Sequence, residues 1–163
     1  YLIICIDWQK WKDRTLKELI RVTRPGGYIE IMDLDAEIVQ PGPIGRMFEH
    51  FRFKNVETSG INTASSADMV KTFSELKDAV VVEKFEHKIR PYGRWAGKLG
   101  EVALKNYIEL LEPMGVFYCP LFKITEAEYK QMIVDYAEEL NTYQSYMREY
   151  RVVIRKLDKE STT

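Results

Sequence analysis

The sequence is poor in the residues that most often carry chemistry. Its 163 residues include only two cysteines, Cys5 and Cys119, and two histidines, His50 and His87. Both cysteines sit in apolar stretches, which points to two buried thiols in a reducing, intracellular setting, cytoplasmic or nuclear, rather than to a disulfide. The histidines are far apart, and neither has a cysteine or paired carboxylate at ligand spacing, so no metal site is expected. Charge of neither sign dominates: 24 basic side chains stand against 25 acidic ones, dispersed along the chain. Without a basic patch, a nucleic-acid partner has no support. No apolar run approaches the about 20 residues of a membrane span. The opening YLIICI is too short for a signal-peptide core and has no basic region before it. An initiating methionine is also lacking, and the apolar start YLIICIDW leads us to expect a chain cut at its front.

What is present reads as one globular domain over residues 1–163, with 45% hydrophobic residues and enough length for a single core. The stretch ELIRVTRPGGYIEIMDLD sets the class. Leu16, Leu19 and Ile20 recur at three- and four-residue spacing, as on a half-buried helix. Pro25 disfavours helical dihedrals at Arg24 and ends it. Gly26 and Gly27 let the chain reverse. Tyr28, Ile29, Ile31, Met32 and Leu34 then make an apolar strand, and a helix feeding such a strand argues for α/β architecture.

VQPGPIG, residues 39–45, reads as a loop, followed by a short amphipathic helix marked by Ile44, Met47, Phe48 and Phe51. Ser65 or Ser66 is placed to cap a helix carrying Met69, Val70, Phe73 and Leu76. AVVVEKFEHKI follows, and its three valines suggest a strand buried on both faces. Leu99, Ala103, Tyr107 and Leu111 mark the packed face of a helix that Pro113 stops. VFYCPLF reads as an apolar connector. Thr125 and Glu128 form a capping box for a helix carrying Met132, Ile133, Tyr136, Leu140 and Tyr143 and running to about Met147. YRVVIRKL, residues 150–157, is a closing strand, and KESTT a frayed tail.

The run from Trp11 to Ile31, WKDRTLKELIRVTRPGGYIEI, resembles the helix, Pro-Gly-Gly turn and fifth strand of class I S-adenosylmethionine-dependent methyltransferases, here their C-terminal half. GPIGRMFE, PYGRWAGKLGEVALKNYIELLEP and TEAEYKQMIVDYAEELNTYQSYMREYRVVIRK are similar to a narrower group, the fungal methyltransferases related to secondary-metabolism regulators. The resemblance covers about Trp8 to Lys156. It implies a partial Rossmann-like fold holding the last three strands, Tyr28–Asp33, Ala79–Ile89 and Tyr150–Lys156, as part of a mixed sheet. The last strand is expected antiparallel between the other two, and two long helices between the second and third strands are expected to form a lid on the substrate side. The family's glycine-rich loop after its first strand, and the ribose-binding acid of its second, have no counterpart here. The expectation is therefore that the isolated chain does not bind S-adenosylmethionine usefully, while its parent moves a methyl group from that cofactor to an unknown acceptor. The competing expectation is a non-catalytic remnant serving as an interaction or assembly module.

Asp33 and Asp35, at the end of the presumed fifth strand, are the first substrate-binding candidates, because ligands of open α/β sheets bind there. A carboxylate in that place can orient an acceptor or take its proton. The alternative is a pair of ordinary acids at a strand end. Glu30 is read as the partner of a neighbouring cation. Arg94 and Trp95 are the second pair of candidates, Arg94 for an anion and Trp95 as a pocket wall, against the reading of a hydrophobic anchor with a stacked guanidinium. The stripe Tyr129, Tyr136, Tyr143 is read as core with hydroxyls at the rim. Tyr1 and Leu2, following the family's fourth strand, are the cofactor-binding candidates. The strand Tyr28–Asp33 is expected at a sheet edge, with Leu16, Leu19, Ile20 and YLIICI exposed. Such a surface predicts a homo-oligomer or docking by the missing N-terminal half.

Overall fold

The computed structural model describes residues 7–59 and 66–158. The chain is α/β and forms two compact units. One comprises Tyr1–Ala36, Val56–Lys88 and Glu149–Thr163, the other Glu37–Asn55 and Ile89–Arg148. Tyr1, Leu2, Cys5 and Ser65 lie outside the described residues.

In the first unit, α1 (Trp8–Lys10) opens with Asp7, whose carboxylate accepts from the Lys10 amide at 3.0 Å. It passes through a π-helical stretch, Trp11–Leu16, into α2 (Lys17–Val22). Trp8 and Trp11 stack at 5.1 Å. The helix ends at Thr23, two residues ahead of Pro25. Lys156 closes this end by donating its ammonium to the Thr23 carbonyl at 2.7 Å, a cation at a helix C-terminus where it is favoured. The Pro-Gly-Gly turn delivers β1 (Tyr28–Val39). Gly26 adopts φ 70° there, which the lack of a Cβ allows.

The three described strands, β1, β2 (Val80–Pro91) and β3 (Tyr146–Lys156), are ordered β1-β3-β2. The last strand therefore lies between the other two, as expected. Gly26 and Gly27 exchange backbone hydrogen bonds with Lys156, at the start of β1 and the end of β3. Leu157 donates to Ala79, again end to start. Both pairings are thus antiparallel, and the sheet is not mixed at any neighbouring pair.

One face of the sheet carries Ile29, Ile31, Tyr150, Val152 and Ile154 and packs on Trp8, Trp11, Leu16, Met69 and Phe73. The last two belong to α4 (Ser66–Glu75). Leu16 is 0% exposed and Leu19 and Ile20 pack against this core. The expected exposed apolar face of that helix is therefore absent, because the sheet and α4 of its own unit take it up. The other face bears charge. Arg151 donates to Glu30 across the strands, and Arg155 donates to Glu83 at 2.6 Å, so Glu30 has the cation partner expected of it. An antiparallel sheet with one solvated face accommodates this pattern.

Val80 is buried, but Val81 and Val82 are exposed, against the expectation of a strand covered on both faces. The reason is position: β2 is one of the two outer strands of the described sheet, and an apolar run does not report which strands lie outside.

The second unit holds the first part of α3 (Pro43–Ser59), with α5 (Gly97–Leu111), α6 (Gly115–Phe122) and α7 (Glu126–Thr142). α3 is longer than the short helix expected and starts inside the predicted loop. VFYCPLF is helical rather than a connector, with Pro120 near the C-terminal end of α6. The two long helices expected between β2 and β3 are α5 and α7, of 15 and 17 residues, with the eight-residue α6 between them. The capping box of α7 is complete: the Glu128 amide donates to Thr125 Oγ1 and the Thr125 amide to Glu128 Oε2. α7 ends at Thr142 and β3 begins at Tyr146, earlier than expected, since Gln144 takes a left-handed turn (φ 51°). Tyr129 and Tyr136 are buried as expected, but their hydroxyls are buried as well rather than at the rim, Tyr129 donating to the Leu111 carbonyl at 2.8 Å, whereas Tyr143 is exposed. Phe48 sits among Tyr118, Phe122 and Tyr136, with ring centroids 4.9–5.4 Å away. Leu99 faces solvent, contrary to its assigned packing role, and Cys119 is half-buried rather than enclosed. Among the described residues, no helix is long and apolar enough to cross a membrane.

Candidate functional site

In the first unit the candidates are Asp33 and Asp35. They lie within β1, not at its end, because the strand runs four residues beyond Asp35, to Val39. Two-residue alternation sets Ile29, Ile31 and Asp33 on one face. The register fixed by Gly27 and Lys156 then brings Ile29 beside Ile154, Ile31 beside Val152 and Asp33 beside Tyr150. Asp33 is buried, and its Oδ1 accepts from the Leu34 amide at 2.8 Å.

Tyr150 is a functional group that sequence reading missed. Its ring is buried and its hydroxyl has no hydrogen-bond partner among the described residues. Burial pushes the phenol's pKa up, and the charges of Asp33, Asp35 and Asp68 push it further. A phenol held neutral beside carboxylates can donate a hydrogen bond but is a poor nucleophile. The only sequence signal was the parity of Tyr150 with Val152 and Ile154, which reads as core.

The same unit has an open apolar groove of about 490 Å³ between α4 and β2, lined by Val70, Phe73, Val81, Phe85 and Leu157, with Lys77 and Ser74 among its polar members. Among the described residues, no group of His, Cys, Asp and Glu side chains is arranged to hold a metal ion.

Arg94 and Trp95 belong to the second unit, in the 3-10 turn Arg94–Ala96. Gly93 (φ 140°) and Gly97 (φ 65°) allow the chain to enter and leave this turn. Gly100 packs so closely beneath it that a Cβ there would come 2.2 Å from the Gly93 oxygen. Asn141 Oδ1 accepts the Arg94 amide at 2.6 Å, and the Arg94 guanidinium pairs with Glu138 at 3.0 Å. Trp95 Nε1 donates to the Tyr92 carbonyl at 3.2 Å. An anion at Arg94 therefore competes with Glu138. Glu138 and Asn141 stand three residues apart on one face of α7, the one pattern that foreshadowed this anchorage.

Most of the described glycines are closed off by the chain itself, Gly97 being open. The Gly26 amide donates to Lys156 and the Gly93 amide to Gly100. A Cβ at Gly27, Gly42, Gly45, Gly93, Gly100 or Gly115 would meet the chain's own atoms within 3.1 Å. The backbone approach those glycines permit is thus already taken by protein. These six glycines offer no room for the amino-acid and ribose ends of S-adenosylmethionine, and no step through the cofactor follows from them. The sequence matches no known family model and no curated protein.

Proposed function

We propose that this chain is the acceptor-side half of an S-adenosylmethionine-dependent methyltransferase, whose parent transfers a methyl group to an acceptor that the chain helps bind. The observation that carries this reading is the strand order β1-β3-β2, with the last strand antiparallel between the other two. That order follows directly on the helix, Pro-Gly-Gly turn and strand on which the resemblance rests. Asp33 and Asp35 are then the acceptor-orienting carboxylates, with Tyr150 as a neutral donor beside them. Arg94 and Trp95 hold the turn that opens the helical segment following β2. The cofactor's own contacts belong to the N-terminal half of the parent.

The filled glycine positions favour a second reading, a non-catalytic remnant that serves assembly. The outer edge of β1, with Tyr28 and Met32 exposed beside it, is where either the parent's N-terminal half or a second copy docks in these readings.

Calorimetric titration with S-adenosylmethionine separates them. The expected result is no binding by this chain alone and micromolar binding by the full gene product that contains it. Failure of both to bind favours the assembly module. Binding by the isolated chain would falsify the division into halves.

A further inference from the structure

Val70, Phe73, Ser74 and Lys77 recur at three- and four-residue spacing, so α4 and the turn after it present one side to β2. Phe73 and Val152 of β3 are buried and floor the groove between the two elements. Its walls stay open: Val70 is 48% exposed on the helix side, and Val81 and Val82 are 36% and 42% exposed on the strand side. The result is an apolar trough of about 490 Å³ within the first unit, of a size that takes several side chains of a ligand.

The strand that borders it is open as well. Among the described residues β2 is hydrogen-bonded to β3 alone, so the other side of its backbone carries N–H and C=O groups with no strand opposite. A small apolar molecule fills the trough and leaves those groups unmatched. An extended peptide answers both features. Laid beside β2 it pairs its backbone with the strand, and every second side chain turns to the face on which α4 lies. The lining from Val80 to Phe85 runs about 17 Å along the strand, the length of about six extended residues.

Charge narrows the partner further. Lys77 is the one ionisable side chain in the lining, and it has no ion-pair partner among the described residues. Acids of the flanking elements are engaged elsewhere: Glu75 with Lys12 at 2.9 Å, Glu83 with Arg155 at 2.6 Å and Glu86 with Lys84 at 2.8 Å. Asp78 follows Lys77 in the turn but does not line the groove. Lys77 stands where β2 begins, so an acidic side chain at that end of a peptide is attracted and a basic one repelled.

We propose that the groove between α4 and β2 is a docking site for an extended segment of a partner protein, which adds to β2 as a further strand, sets alternate apolar side chains into the groove and holds an Asp or Glu against Lys77. The proposal does not rest on the methyltransferase reading. It also uses the opposite edge of the described sheet from β1.

The test presents a displayed library of random heptapeptides to the immobilised whole chain, and measures the selected peptides by calorimetry. The expected selection alternates apolar residues and carries an acid at one end. Lys77→Glu is expected to bind these peptides about tenfold more weakly and to select a basic residue at the same end instead. Val70→Asp, at an exposed site, is expected to lose them with unchanged circular dichroism. N-methylation of alternate peptide amides is expected to abolish binding in one phase and spare it in the other, since only one set faces β2. A library that yields no peptide binding more tightly than about 1 mM overturns the proposal. So do peptides that Lys77→Glu binds equally well, or that tolerate N-methylation in both phases, because apolar contact alone then holds them. Peptides indifferent to Val70→Asp bind elsewhere and overturn it too.

Discussion

Gly45 donates its backbone N–H to Glu139 Oε1 at 2.7 Å, and Ile44 beside it donates to the other oxygen at 2.8 Å. One carboxylate on α7 thus satisfies two of the N-terminal amides that α3 cannot pair internally, and its charge suits the positive end of that helix. Glu139→Ala is expected to cost about 1–3 kcal/mol, since both donors lose a charged acceptor. Gly42 is fitted against the same side chain: a Cβ there would come 2.3 Å from Glu139. Gly42→Ala is therefore expected to push Glu139 off the helix end. Urea denaturation of the two single variants and the double should show strong non-additivity. Additive losses would mean that the glycine and the clamp act separately.

Core and surface leucines provide a contrast. Leu16→Ala empties a fully buried site in the first unit and is expected to cost about 2–5 kcal/mol. Leu99→Ala, at a site 69% exposed, is expected to change the stability of the single chain by less than about 0.5 kcal/mol. Denaturant unfolding at a protein concentration low enough to exclude association checks both.

These two leucines also show where the sequence was legible. Leu16 belongs to a helix whose other faces are charged, so its periodicity had one solution. On α5 the apolar residues Leu99, Val102, Ala103, Leu104, Tyr107, Ile108, Leu110 and Leu111 nearly encircle the helix. Periodicity there cannot choose a phase, and Leu99 was given the wrong face. The capping box of Thr125 and Glu128 and the Pro-Gly-Gly turn were readable because their chemistry is local. Glu139 was not: a lone glutamate on a helix gives no sign that it will bind amides 94 residues away. Asp33 could be singled out from its place on the strand, but its neighbour Tyr150 depends on a strand register that only the pairing with Lys156 fixes.

The α7 cap predicts an acid-range effect. The Thr125 amide, and after it the Thr125 hydroxyl, hold the Glu128 carboxyl below its ordinary 4.5. A depressed folded-state pKa means the contribution is complete above the ordinary value and is lost as pH falls through the folded one. Glu128→Gln is expected to lower the melting temperature at pH 7 and to differ less from the unaltered protein at pH 3. A gap that stays constant from pH 7 to pH 3 would show that the carboxylate charge plays no part in the cap.

Tyr150 gives the last prediction, and it bears on the proposed site. Its hydroxyl is buried without a hydrogen-bond partner among the described residues, beside Asp33. Removing an unsatisfied buried hydroxyl forfeits no bond and relieves a desolvated group, so Tyr150→Phe is expected to be neutral or stabilising by up to about 1 kcal/mol at pH 7. The phenol's pKa is raised above its ordinary 10, first by burial and then by Asp33. A raised folded-state value means the protonated form stabilises fully below pH 10, and that stability is lost as pH rises toward the folded value. The phenylalanine variant lacks this loss, so its advantage should widen between pH 7 and pH 11 in urea titrations. A destabilisation beyond about 1 kcal/mol at pH 7 would show that the hydroxyl is bonded in solution. The carboxylate of Asp33 would then already be engaged by its neighbour, and an acceptor molecule would have to displace that bond to use it.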